Sequence, residues 1–369
     1  MIGIDGNEAN VGQRVGSNVY AYNILKGLAH KKNRLDYQVY LKNSPRLDLP
    51  NPTNTWKYKV LKPSPLWTQW RLPLDLYTAK PKPDLFFTPG HYAPRFSPVP
   101  SVISILDLSF LYFPEAFQPK VLKQLKDWTA YSARQATHIL AISESTKKDI
   151  VKEYKIDPQN ITVTYLGSNT EKPKVWSQTE KERILKKYQI KTKYFLFVGT
   201  RQPKKNLDRL IKAFNKLQSR ERNVSLVIVG KKWHQFTQTE ANSGQNIVFT
   251  GFVDDSDLSK LILGSEALVF PSLYEGFGIP VLEAMNLGTL VAASNVSSIP
   301  EVTGSTPLLF DPLKTPAIEK TLQSILRMSS DKKKKLVREG KIRAKNFTWT
   351  KCVDQTLEVL KTVYLQSST

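Results

Sequence analysis

Two glutamates eight positions apart, Glu275 and Glu283, frame the stretch Phe270-Pro-Ser-Leu-Tyr-Glu-Gly-Phe-Gly-Ile-Pro-Val-Leu-Glu-Ala-Met285. Each carboxylate accepts two hydroxyl hydrogens, which suits a polyhydroxylated ligand, with a ribose at one and a hexose at the other. Gly276 and Gly278 flank Phe277 in a turn that tolerates positive φ and close approach of backbone to ligand. Pro280 suits the first position of the helix that follows, and Glu283 then lies in its first turn. A second constellation, Gly199-Thr-Arg-Gln-Pro-Lys-Lys-Asn206, stands between an apolar strand and a helix. Asn206 reads as that helix's N-cap. Arg201 and Lys205 then sit beside helix N–H donors, where a fork and a point charge clamp a diphosphate. Taken alone, this second stretch is equally a solvated basic loop. A third loop carries Gly12 and Gly16 before Ser17, which reads as a helix cap. It is not the G-x-G-x-x-G fingerprint, so a nicotinamide dinucleotide is disfavoured.

The elements that must hold these residues alternate strand and helix, twice over. Strands are predicted at Met1–Asp5, Tyr37–Leu41, Trp56–Leu61, Asp84–Thr88, Ser101–Leu106, His138–Ile142 and Ile161–Leu166. Helices follow Ser17, span Pro119 to Gln135, and start from the cap Ser143. After a polar stretch, Gly167–Ser177, a second series begins at Tyr194–Val198. It runs through helix Leu207–Leu217, strands Ser225–Val229 and Ile247–Gly251, helix Leu258–Leu263, strand Ala267–Phe270, helix Pro280–Asn286 and strand Leu290–Ala293. Short apolar strands alternating with helices imply parallel sheets covered on both faces, hence two doubly wound α/β domains. Ligands of such sheets bind beyond the carboxyl ends of the strands, where all three loops fall. A last helical pattern, with Val353, Leu357, Leu360 and Tyr364, suits packing back on either domain, the first included.

Composition fits this reading. At about 150 residues per domain, 369 residues make two domains or three. A hydrophobic fraction of 40% is enough for real cores, which excludes disorder for the bulk. A single cysteine, Cys352, excludes a disulfide framework and a cysteine zinc site, and fits a reducing, cytoplasmic setting. No signal peptide and no spanning helix are read, so the chain is expected to be soluble or peripheral. The 54 lysines and arginines against 32 acids give +22 and a pI near 9.8. The excess is spread over both halves, without a basic tail or a finger, RNP or zipper pattern, so specific nucleic-acid binding is disfavoured. Anionic lipid or a phosphorylated substrate suits the charge equally well. Trp56-Lys-Tyr-Lys59 and Trp67-Thr-Gln-Trp-Arg71 read either as an interfacial element for the inner face of a membrane or as core tryptophans beside solvated lysines.

The segment SLYEGFGIPVLEAM resembles the family 4 retaining glycosyltransferases (group 1 glycosyl transferases). So do VGTRQPKKNL, FTGFVDDSDL and SNVSSIPEV around it, the opening GIDGNEA…RVGSNVYAYNILKGL, and Ala141-Ile-Ser-Glu-Ser-Thr. The resemblance covers nearly the whole chain. It implies the GT-B fold, two Rossmann-like domains facing across a cleft: residues 1–170 on the acceptor side, 171–348 for the nucleotide sugar, and 349–369 as a C-terminal helix. It implies transfer of a hexose, with mannose preferred, from a GDP- or UDP-linked donor to a glycan or lipid-linked acceptor. Carried over by residue, Arg201 and Lys205 bind the diphosphate and stabilise the departing nucleotide. Glu275 lies next to the donor sugar and Glu283 binds the ribose. Gly276, Phe277, Gly278 and Ile279 lend amides to sugar and phosphate, Val253 lies near the base, and Gly16 faces the diphosphate. The resemblance implies no covalent nucleophile. No cofactor or metal is expected, because no Asp-x-Asp motif follows a strand and Asp254-Asp255 reads as helix capping. The chain departs from the family at Leu106, where many members carry a histidine against the donor sugar. His91 also follows a strand end and reads as a structural or acceptor-side residue ahead of a catalytic one. A non-catalytic nucleotide-sugar-binding protein of the same fold is the alternative.

Overall fold

The computed structural model describes residues 1–170, 173, 175–231, 244, 246–304 and 308–366; residues 171, 172 and 174 of the stretch Gly167–Ser177 and residues 367–369 lie outside them. The chain divides into two compact units. The first joins Met1–Tyr112, Phe117–Gly167 and Thr348–Thr369; the second joins Phe113–Ala116 and Ser168–Phe347.

The first unit is built on seven strands: β1 (Ile2–Asp5), β2 (Tyr37–Leu41), β3 (Trp56–Val60), β4 (Leu85–Thr88), β5 (Ser101–Ile105), β6 (His138–Ala141) and β7 (Ile161–Val163). All pairings are parallel, in the order β3-β2-β1-β4-β5-β6-β7. β1, β4 and β5 are buried along their whole length, as parallel strands covered on both faces must be. The C-terminal helix Trp349–Gln366 belongs to this unit and buries Val353, Leu357, Leu360 and Val363. It lies against helix Ser17–His30 at Gly27, where a Cβ would stand 2.3 Å from a Val353 methyl. Helix Ser17–His30 starts one residue earlier than its sequence suggests: Gly16 is the cap, and the Ser17 hydroxyl instead donates to Glu8 Oε2 at 3.2 Å. Ser143 does cap its helix, accepting from the Thr146 N–H at 3.0 Å.

Among the described residues the second unit has six strands: β8 (Lys193–Val198), β9 (Val224–Val229), β10 (Ile247–Gly251), β11 (Ala267–Phe270), β12 (Val291–Ser294) and β13 (Leu308–Phe310). They are again all parallel, in the order β10-β9-β8-β11-β12-β13. The helix after β8, Leu207–Gln218, buries Leu207, Leu210, Ile211, Phe214 and Leu217, one stripe at helical spacing. That stripe packs with Phe195, Phe197 and Val269 in the core of the sheet. Each such side chain contributes about 1.5–3 kcal/mol when fully buried.

Strand order reverses between β1 and β4 in the first unit and between β8 and β11 in the second. A crevice opens at such a switch point because the connections on its two sides leave over opposite faces. The loops after β8 and β11 are those that carry Arg201, Lys205 and Glu275.

Candidate functional site

In the second unit the loops after β8 and β11 are tied together by backbone and by one buried amide. Pro203–Lys205 is a single 3₁₀ turn. The Leu273 N–H donates to the Lys204 carbonyl at 2.7 Å. Asn206 is left-handed at φ 58° and makes no side-chain cap, contrary to the capping role its type and position suggest. Its Nδ2 instead donates to the carbonyls of Pro271 (3.0 Å) and Pro312 (2.8 Å). A Cβ at Gly230 would meet the Gly199 carbonyl oxygen at 2.0 Å, so the β9 end also passes directly against this loop.

On this frame Lys205 Nζ donates to Glu275 Oε1 at 2.6 Å, with the two side chains only 13% and 10% exposed. The ammonium also stands 5.0 Å from the centre of the Phe270 ring. The two residues, expected to have separate tasks, are paired, as opposite charges in a poorly hydrated corner must pair. Glu275 Oε1 engages one of three ammonium donors. Arg201 is buried, its guanidinium 4.5 Å above the Phe249 ring of β10. An aromatic face holds a planar cation in a fixed orientation.

Beyond Glu275 the chain turns through Gly276, Phe277 and Gly278 into helix Ile279–Leu287. Gly278 sits at φ 103°, and a Cβ there would come within 2.7 Å of the Ile299 Cδ1. Two serines absent from the sequence-based set of site residues fix this turn. Ser297 Oγ donates to the Glu275 carbonyl at 2.6 Å, and Ser298 Oγ lies 2.9 and 3.1 Å from the Glu275 and Phe277 carbonyls. Their only sequence signal is the Ser-Ser before Ile-Pro. Phe277 is buried edge-on to Phe347 at 5.7 Å, so its side chain anchors the turn.

Helix Ile279–Leu287 begins at Ile279, which makes Pro280 its second residue and moves Glu283 into the second turn. There burial pushes the Glu283 carboxyl up to about 7, with nearby Asp255 adding to the rise and a hydrogen bond from Thr170 opposing it. Val253 is buried just beyond β10. Asp254 caps the next helix through the Asp257 N–H at 2.9 Å, as its position suggests.

The first unit carries its own chemistry at its switch point. A cavity of about 290 Å³ lies at the carboxyl ends of β1 and β4, lined by Asp5, Glu8, Lys42, Trp67, Thr88 and His91 among others. Asp5 is buried, and burial raises its carboxyl above the usual range although the Asn7 backbone and side chain and the Trp67 indole N–H all donate to it. The Leu106 N–H donates to His91 Nε2 at 3.0 Å. That nitrogen is therefore bare, the proton rides on Nδ1, and burial lowers the imidazole against the pull of Asp107. An imidazole thus stands directly against the position where Leu106 lacks one. His91 Nδ1 and Thr88 Oγ1 are both buried without a hydrogen-bond partner among the described residues. Gly16, at φ 52°, has no neighbour within 4 Å of where a Cβ would stand; it belongs to this unit, whereas Arg201, Lys205, Val253, Glu275, Gly276–Ile279 and Glu283 all belong to the other.

Comparison with known proteins accounts for both units. Residues 15–172 match the family described as Glycosyltransferase Family 4, and residues 179–343 match Glycosyl transferases group 1. The chain is 31% identical over 270 residues to the O-antigen chain mannosyltransferase B of Escherichia coli, covering 71% of this chain and 70% of that one. Among solved structures, sucrose-phosphate synthase from Thermosynechococcus elongatus superposes with a TM-score of 0.73 at 18% identity over 99% of both chains. Anabaena Alr3699/HepE in complex with UDP and glucose does so with a TM-score of 0.72 at 17% identity, over 98% of this chain and 99% of that one. The chain belongs to the group 1 glycosyltransferases of family 4, and its two parallel-sheet units have the GT-B fold.

Proposed function

We propose that the protein is a retaining hexosyltransferase that moves a sugar, mannose by preference, from a nucleotide diphosphate donor to a glycan or lipid-linked acceptor. The observation that carries this reading is the buried Lys205–Glu275 pair, held with Arg201 on loops locked together at the switch point of the second unit. Cleavage of the glycosyl–phosphate bond builds negative charge on the diphosphate. Cations fixed where that charge develops stabilise the transition state more than the ground state. In this reading Arg201 and Lys205 take the diphosphate, and Gly276, Phe277, Gly278 and Ile279 present backbone to the sugar and phosphate. Glu275 accepts from sugar hydroxyls, Glu283 from the ribose, and Val253 backs the base. The two fixed cations take the place of a metal, so transfer should persist in EDTA. The E. coli mannosyltransferase relative supports mannose, and the Anabaena structure holding UDP and glucose supports a nucleotide and a hexose. A cytoplasmic setting fits the lone thiol, Cys352, which is buried.

The cavity of the first unit is read as the acceptor saccharide site. His91 Nδ1–H offers a donor, Thr88 Oγ1 a donor or acceptor, and Glu8 a carboxylate, a set that fits vicinal hydroxyls. Incubation with radiolabelled GDP- and UDP-sugars and a crude glycan or lipid extract tests the function: transfer, or slow donor hydrolysis, is expected, and neither occurring contradicts it. His91→Ala should raise the acceptor KM about tenfold, the worth of one good hydrogen bond in a dry site, while leaving donor affinity unchanged. A change in donor affinity instead would remove His91 from the acceptor side.

A further inference from the structure

The tryptophan-rich segment of the first unit divides into two populations. Trp56 and Trp67 are core residues, Trp67 packing with Tyr40, Leu61, Leu72, Leu76 and Phe86. Trp70 is not. It lies in the π-helical turn Trp67–Arg71, which runs directly into helix Leu72–Thr78. Leu72 and Leu76 of that helix face the core, and Trp70, Leu74 and Tyr77 follow one another at helical spacing on the opposite side. Together with Leu66 and Phe96, these large apolar side chains are 58–70% exposed.

Leu66 and Phe96 share a second property. Both are left-handed, at φ 48° and 49°, a conformation that side chains other than glycine, asparagine and aspartate rarely adopt. Both are fixed there. Leu66 accepts from the N–H groups of Gln69 and Trp70, and the Tyr131 hydroxyl receives the Phe96 N–H. The Arg95 N–H, one residue before Phe96, donates to the Thr68 carbonyl at 2.7 Å, so the two loops form one rim. The fold holds two unfavourable backbone conformations that end in apolar side chains pointing at water.

The segment that carries Leu66, Trp70, Leu74 and Tyr77 is basic. Residues 56–83 contain Lys57, Lys59, Lys62, Arg71, Lys80 and Lys82 and one carboxylate, Asp75, which is buried and bound to Lys59 at 2.7 Å. Exposed aromatic and aliphatic tips on a cationic segment fit an anionic bilayer surface: the rings enter the headgroup layer and the lysines meet phosphates. Among the described residues no helix is long and apolar enough to cross a membrane, so such contact would be peripheral. We propose that Leu66, Trp70, Leu74, Tyr77 and Phe96 form a face that docks the protein on anionic phospholipid. This goes beyond the transferase reading and stands without it.

Flotation of the full chain with phosphatidylcholine vesicles, with and without phosphatidylglycerol, tests it. The protein should float with the phosphatidylglycerol vesicles and release at high salt. Trp70→Ser with Leu74→Ser should lower partitioning about tenfold or more. Because both positions are exposed, melting temperature and nucleotide-sugar affinity should stay unchanged. Replacing Lys62 and Lys80 with glutamine should cost roughly fivefold each. Failure of the unaltered chain to float, or equal flotation of the Trp70/Leu74 variant, overturns the proposal. So does a Trp70/Leu74 variant that turns a dimer into a monomer, since a second copy would then be the occupant. Donor affinity, measured in the same preparations, keeps failure here distinct from failure of the transferase reading.

Discussion

Replacing Lys205 with methionine is expected to lower kcat/KM by about a thousandfold, the upper range for removing one fixed electrostatic contact to a developing anion. It should also destabilise the second unit by about 3 kcal/mol, because it strips the partner from a buried carboxylate. These effects have different origins and separate in a double-mutant cycle. Lys205→Met with Glu275→Gln removes both charges and retains the shape, so most of the lost stability should return. Activity should not return, because the leaving diphosphate still lacks its cation. Urea unfolding and initial-rate kinetics on the two single variants and the double variant measure both quantities. A double variant that regains activity would show that Lys205 acts only by holding Glu275 in place.

Glu283 should make both stability and donor binding depend on pH near neutrality. Its folded-state carboxyl is raised from 4.5 to about 7. The folded protein therefore holds a proton that the unfolded chain releases between those values. The stabilising effect of that proton is complete below about 4.5 and is lost as pH rises through about 7. Across the whole window the loss is of order 3 kcal/mol. Glu283→Gln cannot titrate. Its stability advantage over the unaltered protein should widen by about 2 kcal/mol between about pH 5 and about pH 8, measured by denaturant unfolding. Donor binding runs the other way. A ribose diol donates hydrogens, which the carboxylate accepts better than the neutral acid does. Affinity for the nucleotide sugar should thus rise as pH passes through about 7, and Glu283→Ala should lower it about a hundredfold and remove the pH dependence. A pH-independent stability difference between Glu283→Gln and the unaltered chain would show that the carboxyl is not buried as described.

Much of this was legible in the chain because it is local. Strand–helix alternation, the Gly276–Gly278 turn and the Ser143 and Asp254 caps depend on residues within a few positions of each other. What was not legible is what crosses the chain. Lys205 and Glu275 lie 70 positions apart, and nothing in either stretch announces their pairing. Asn206 looks like a cap because its type and place are right, but two prolyl carbonyls, Pro271 and Pro312, compete for its amide and win. Ser297 and Ser298 bind backbone oxygens of a turn more than 20 positions earlier. The bond from Leu106 to His91 depends on β4 and β5 lying side by side. Strand β13 has three residues, too few for any period to register. Trp67 and Trp70 are neighbours of one type with opposite fates, settled by which face of the π turn meets the sheet.

The loops after β8 and β11 are expected to bind a nucleotide diphosphate sugar. Calorimetric titration of the full chain with GDP-mannose and with UDP-glucose, alongside Lys205→Met and Glu283→Ala, measures this directly. Saturable binding of at least one donor by the unaltered protein, weakened about a hundredfold in Glu283→Ala and clearly reduced in Lys205→Met, is the expected result. Binding of equal strength in all three proteins, or none in any, would contradict it.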